Sequence, residues 1–217
     1  IDELKIGQEI GKGSNSYVNN CIWRNIEIVV KQPKEKRLFI LLDLLNEIEL
    51  WSTLRHPYLV QFLGACYDKE NENFYILLEK IHGYTLSDYI ENKNKSKNFS
   101  KYTRFQICKQ LINVIKFLHS CNQPIIYRDL KPENIMIDNF NNVHLTDFGL
   151  SRYMPEDTNY NLTGGTGTLR YMAPEVYLHK KYDLKVDIYS LGFIFYYIFT
   201  GIKPFISYNT NTIKEYM

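Results

Sequence analysis

Tyr127-Arg128-Asp129-Leu130-Lys131-Pro132-Glu133-Asn134 sets a carboxylate, an ammonium and an amide in one short loop. After a short strand-like stretch comes Asp147-Phe148-Gly149, which adds a second carboxylate. The residue types are complementary in what they can do. A carboxylate takes a proton from a hydroxyl, and an ammonium offsets the charge of a phosphate. An amide oxygen beside a carboxylate makes a hard oxygen pair of the kind that magnesium takes. Ile125-Ile126 leads into the loop, and an amphipathic helix read over Tyr102 to Ser120 precedes it.

Upstream, Gly11-Lys12-Gly13-Ser14-Asn15-Ser16-Tyr17-Val18 lies between two alternating stretches and reads as strand, turn, strand. Glycine lets a backbone come close to phosphates and present N–H groups to them. A plain hairpin turn satisfies the same pattern. A dinucleotide-binding turn does not, because it needs a helix directly after the glycines. Here Tyr17-Val18 and Cys21-Ile22-Trp23 continue as a strand. Ile26 to Lys31, Leu59 to Cys66 and Phe74 to Leu78 read as further strands. Apolar residues at helical spacing mark a helix over Leu38 to Leu54, stopped before Pro57. Glu47 shares its apolar face with Ile40, Leu44, Trp51 and Leu54, whereas Glu49 lies on the wetter side. An acid on an apolar face is costly unless it is paired.

Composition narrows the class. The chain has 217 residues, 45% of them hydrophobic, enough for one large domain or two lobes with a core each. A net charge of +2 gives no global field toward nucleic acid or membrane, so neither is expected as a partner. The longest apolar run, Leu191 to Phe199, falls well short of the roughly 20 residues of a membrane span. Cys21, Cys66, Cys108 and Cys121 are scattered without metal-ligand spacing, which fits reduced thiols and a cytoplasmic location. The polar, low-complexity stretch Asn92 to Lys101 reads as a solvated loop. The opening Ile1-Asp2-Glu3, without an initiator Met, suggests an excised domain.

From about Ile6 to about Phe205 these motifs together resemble the catalytic domain of the eukaryotic protein kinases. The resemblance implies an α+β, bilobal protein-kinase-like fold, with a small antiparallel β-sheet lobe carrying one helix and a larger, mainly helical lobe. Residues 1–78 would be the first lobe, 79–83 a hinge and 84–217 a partial second lobe truncated at its C-terminal end, forming one kinase domain over 1–217. The implied activity is transfer of the γ-phosphoryl of ATP, with Mg2+, to Ser or Thr hydroxyls of a protein substrate in intracellular signalling. Asp129 is the implied base and Lys131 the γ-phosphate partner, with Asn134 and Asp147 holding magnesium. Gly11, Gly13, Ser16 and Val18 would cover the nucleotide, and Lys31 would grip its α- and β-phosphates. That lysine needs an orienting carboxylate, and Glu47 is the expected one. Leu78 takes the gatekeeper position, and Glu79 and Ile81 belong to a hinge whose backbone would meet the adenine edge.

Regulation follows the same resemblance. Arg128 would receive a phosphate placed on the Leu150–Leu169 segment, where Thr158, Tyr160, Thr163 and Thr166 are available and Thr163 or Thr166 is the expected site, by an upstream kinase or by autophosphorylation. Thr168 would brace Asp129 and Lys131. Lys131 and the Gly167–Glu175 stretch are similar to serine/threonine kinases. Gln61–Cys66, the Thr168 segment and Asp187–Gly192 are similar to their tyrosine-kinase-like group. Two departures stand out: Ser16 replaces a third glycine, and Tyr127 replaces a histidine, where it is expected to pack on Phe148. Asp187 and His119 are expected to anchor the loop. No Arg follows Arg170 to pair with Glu175, so the 217 residues alone are expected to be marginally stable. The alternatives are an ATP-binding scaffold without turnover, of the pseudokinase kind, and a small-molecule kinase. Retention of Lys31, Asp129 and Asp147 weighs against the first, and the Thr168–Glu175 stretch against the second.

Overall fold

The computed structural model describes residues 3–13, 16–35, 37–96, 99–154 and 169–208. The chain divides into two compact units, Ile1–Ile81 and His82–Met217. The first is an antiparallel sheet of five strands, β1 (Leu4–Lys12), β2 (Ser16–Trp23), β3 (Ile26–Pro33), β4 (Phe62–Asp68) and β5 (Asn73–Glu79), in the order β1-β2-β3-β5-β4. One helix, α1 (Leu38–Thr53), connects β3 to β4.

Local chemistry explains the joints. The β2–β3 hairpin turns through Arg24 and Asn25, both with positive φ (50° and 67°). Two left-handed residues in a two-residue loop match the twist of the flanking strands. The core of the sheet gathers Cys21, Ile28, Val30, Tyr75 and Leu77. β4 starts at Phe62, later than the strand expected from Leu59. The backbone before it is committed elsewhere: the Leu59 N–H donates to the His56 carbonyl, and the Val60 carbonyl accepts the Trp51 indole N–H at 2.9 Å.

The second unit is mainly helical. Its helices are α2 (Leu86–Ser96), α3 (Lys101–His119), α4 (Pro174–Tyr177) and α5 (Lys185–Thr200). Short strands accompany them, one before α2 and four between α3 and α4: β6 (Gly83–Thr85), β7 (Ile125–Ile126), β8 (Ile135–Asp138), β9 (Val143–Leu145) and β10 (Arg152–Tyr153). β6, β8 and β9 form one antiparallel sheet, and β7 pairs with β10. α2 corrects the expected loop: Asn92 to Ser96 are its last residues, and α3 begins at Lys101. Leu86, Tyr89 and Ile90 are buried at helical spacing, and this short stripe carries the polar continuation with it. Ser100 caps α3, its Oγ accepting the Thr103 N–H at 3.0 Å. Gly201, at φ 71°, closes α5 by donating its N–H to Tyr197. Among the described residues no helix is long and apolar enough to cross a membrane.

The β6–β8–β9 sheet places the loop that precedes β8 and the Asp147 turn that follows β9. The Gln110 side chain on α3 fastens it, its Oε1 accepting the Val143 N–H at 2.6 Å. Gly83 on β6 lies so close to β8 that a Cβ there would run into the Ile137 carbonyl oxygen. Backbone cannot move aside as a flexible side chain can. Gly83→Ala is therefore expected to lower unfolding stability by about 1–3 kcal/mol. Urea denaturation checks this, and an unchanged midpoint would show that β6 accepts a side chain at this place.

Candidate functional site

In the first unit β1 and β2 bring the glycine stretch to a tip. Gly11 pairs with Val18, and the Gly13 N–H donates to the Ser16 carbonyl at 2.9 Å. Register shifts between Ile6 and Gly11 bend β1 on its approach to the tip. The Lys34 ammonium donates to the Gly13 carbonyl and holds the tip from the far side. Ser14 and Asn15 lie outside the described residues.

Lys31 leaves β3 as a buried side chain, and its Nζ donates to Glu47 Oε1 at 2.6 Å. Glu47 is 3% exposed, on the inward face of α1 with Ile40, Leu44, Leu50 and Trp51. Two charges at this depth need each other, because removing either leaves an uncompensated charge in an apolar setting. Glu79, at the end of β5, is tied to Gln61 twice. Its N–H donates to the Gln61 carbonyl at 3.0 Å, and its Oε1 accepts the Gln61 N–H at 2.6 Å. Sequence spacing offered no signal for Gln61 in this role. Leu78 is buried, and Ile81 is the last residue of the first unit.

In the second unit the loop is shaped by a buried carboxylate from α5. Asp187 is 0% exposed. Its Oδ2 accepts the Tyr127 N–H and its Oδ1 the Arg128 N–H, both at 2.9 Å, and His119 Nε2 lies 2.8 Å from Oδ2. Leu184 is the N-cap residue of α5, so Asp187 anchors the loop rather than capping its own helix. Arg128 then takes a left-handed φ of 68°, unusual for a side chain of its size.

Beyond this turn the polar groups converge. Lys131 Nζ donates to Asp129 Oδ2 at 2.6 Å. Asn134 Nδ2 donates to the Asp129 carbonyl and to its Oδ2, both at 3.0 Å. A single turn of 3-10 helix, Pro132–Asn134, sets this return, with the Asn134 N–H donating to the Lys131 carbonyl. Burial pushes the Asp129 carboxyl above the ordinary aspartate range, and the Lys131 ammonium pulls against that shift. Asn134 commits its amide nitrogen to Asp129, so a cation held by this residue would meet its amide oxygen. Asp147 follows β9 with a left-handed φ of 63°, and its Oδ1 accepts the Gly149 N–H at 3.3 Å. An amide oxygen and a carboxylate suit a hard divalent cation such as magnesium, and suit zinc poorly.

Tyr127 meets Phe148 edge to face, with ring centroids 5.4 Å apart. Its hydroxyl also donates to the Thr146 carbonyl, a bond that the packing role did not anticipate. The Arg128 guanidinium donates to the Tyr182 hydroxyl at 3.0 Å and to the Leu150 carbonyl at 2.5 Å. Tyr182 was not a sequence candidate: 54 residues separate it from Arg128, and no local motif marks it. Thr158, Tyr160, Thr163, Thr166 and Thr168 lie outside the described residues.

A carboxylate, an ammonium and an amide gathered in one loop, with a second carboxylate in the next turn, fit the protein kinase domain family. Its profile matches residues 4–217, and the chain belongs to that family. Among its relatives is the serine/threonine-protein kinase VIK of Arabidopsis thaliana, 36% identical over 205 residues, covering 90% of this chain and 45% of that protein. A probable serine/threonine-protein kinase of Dictyostelium discoideum is 34% identical over 207 residues, covering 94% of this chain and 12% of that protein. The dual specificity protein kinase splA of the same organism is 30% identical over 224 residues, covering 94% of this chain and 9% of that protein. The chain thus spans less than half the length of these curated relatives.

Because Asp187 is the shared acceptor for two buried amides, Asp187→Ala is expected to cost about 1–3 kcal/mol for each amide left unpaired. Chemical denaturation measures the loss. A variant as stable as the parent would show that the loop holds its turn without this carboxylate.

Proposed function

We propose that the chain is a protein serine/threonine kinase module that moves the γ-phosphoryl of ATP to a Ser or Thr hydroxyl of a protein substrate. The observation that carries this reading is the buried Asp129 carboxylate, met by the Lys131 ammonium at 2.6 Å and the Asn134 amide at 3.0 Å. The acceptor oxygen forms a bond to the γ-phosphorus while the bond from that phosphorus to the β–γ bridging oxygen breaks, releasing ADP. Asp129 orients the acceptor hydroxyl and takes its proton. Lys131 offsets charge on the transferred group. Asn134 and Asp147 would hold Mg2+, which when bound screens the phosphate charges.

The first unit contributes the grip on the nucleotide in this reading. Lys31, oriented by Glu47, takes the α- and β-phosphates. Gly11, Gly13, Ser16 and Val18 cover them, and the backbone of Glu79 and Ile81 meets the adenine within a hinge at 79–83. The Gln61–Cys66 and Asp187–Gly192 stretches support placement with the tyrosine-kinase-like group. A role in intracellular signalling and a cytoplasmic location belong to the same proposal.

Transfer of labelled γ-phosphate from Mg-ATP to a generic basic protein tests the chemistry. Asp129→Asn is expected to slow transfer by about 10²–10⁴-fold, with the parent's label on Ser or Thr. Transfer that persists in the variant, or no transfer by the parent, would overturn the assignment. Regulation through Arg128 is a separate proposal, with Thr163 or Thr166 as the modified residue. Replacing both threonines with alanine is expected to give lower turnover than the phosphorylated parent, and equal turnover would remove them from the scheme.

A further inference from the structure

β1 carries the glycine tip, and its ladder to β2 is irregular. From Ile6 to Glu9 it advances three residues while β2 advances two, from Cys21 to Asn19, and a second shift follows before Gly11. Each shift puts one extra residue on β1 and disrupts the local pairing. Side chains supply bonds there instead. Asn19 Nδ2 donates to the Gly7 carbonyl at 3.2 Å, inside the first shift. Gln32 Nε2 donates to Asn19 Oδ1 at 3.3 Å, and Asn73 Nδ2 donates to Gln32 Oε1 at 3.0 Å. The Phe74 N–H, also at 3.0 Å, donates to Asn73 Oδ1 and starts the relay.

Every donor in this relay points the same way, from β5 through β3 and β2 to β1. Each of the three amides gives with its nitrogen and receives with its oxygen, and bonds chained in this manner reinforce one another. The face on which they lie follows from the register. Directly paired residues share a face, and successive residues alternate. Val18 pairs with Lys31, and Tyr17 pairs with Gln32. Asn19 and Gln32 therefore work from the face opposite Val18 and Lys31. Two cations act there as well. The Lys12 and Lys34 ammoniums each lie 5.5 Å from the centre of the Tyr17 ring, and Lys34 also donates to the Gly13 carbonyl. The bent strand is thus held from behind at Gly7 by an amide and at Gly13 by an ammonium.

We propose that the Asn73–Gln32–Asn19 relay is a brace that sets the glycine tip over the nucleotide's phosphates. Resting on the functional reading above, this makes the three amides positioning residues. They act through the β1 backbone, from the face away from the nucleotide.

Calorimetry of ADP and of adenosine binding, with Mg2+ present, tests the brace on the parent, Gln32→Met, Asn73→Ala and the double variant, each checked by thermal melting. Gln32→Met keeps the length of the side chain and removes both of its hydrogen-bonding groups. It is expected to weaken ADP binding about fivefold, the net worth of one hydrogen bond, and to leave adenosine binding as in the parent. Asn73 stands on β5, with β3 and β2 between it and β1. Asn73→Ala is nevertheless expected to weaken ADP binding selectively, and the double variant to match Gln32→Met, because a broken relay is not broken twice. A purely structural relay would lower the melting temperature and leave the ratio of ADP to adenosine affinity alone, and that result overturns the proposal. Losses that add in the double variant overturn it too. Should Gln32→Met fail to fold, Asn73→Ala decides: a lowered ratio sustains the brace and a parental ratio refutes it. A parent that binds neither ligand fails the functional reading and takes the brace with it. A parent that prefers ADP, matched by folded variants, defeats the brace alone.

Discussion

The Asp187 carboxylate is the constraint on which the second unit's site depends. It sits at the start of an apolar helix, out of water, and a lone charge there would be unstable. Two loop amides and His119 answer it from 59 to 68 residues upstream. The need is mutual, because the amides of Tyr127 and Arg128 are themselves buried in a turn with no ladder to join. One carboxylate thereby sets the backbone from which Asp129, Lys131 and Asn134 project. Arg128 can hold its left-handed φ because its N–H and its guanidinium are both bonded in place.

The first unit applies the same physics to a different purpose. Lys31 and Glu47 reach each other from a strand and a helix, and each is buried to a degree that neither would tolerate alone. A buried pair of this kind is a poor source of net stability, yet it restricts where both side chains can go. For a lysine proposed to meet phosphates, a fixed direction matters more than a gain in folding energy. The pair therefore makes sense as orientation, and the sheet supplies the stability through Cys21, Ile28, Val30, Tyr75 and Leu77.

Part of this was readable from residue order. Glu47 stands among Ile40, Leu44 and Trp51 at helical spacing, and an acid on such a face demands a cation. Lys31 was the expected partner, and the two side chains meet. The dense polar loop from Asp129 to Asn134 was equally visible, since short-range spacing survives any fold. α2 was hidden because Leu86, Tyr89 and Ile90 give it a short apolar face, and the residues after them read as a solvated tract. The late start of β4 was hidden for another reason. Leu59 and Val60 look like strand residues, but their backbone groups answer His56 and Trp51 instead of a neighbouring strand.

Sequence alone thus determined which chemical groups the chain carries and in what order: a glycine tip, a lysine on a strand, an acid on a helix, and a loop of acid, base and amide. Those features live within a few residues of one another, where covalent geometry and side-chain periodicity dominate. Only the tertiary structure decided which distant groups answer them. Gln61 on Glu79, Tyr182 on Arg128, and the Tyr127 hydroxyl on the peptide before Asp147 are pairings between elements far apart in the chain. Each arises because a buried polar group must find a partner, and which partner is near depends on how strands and helices pack.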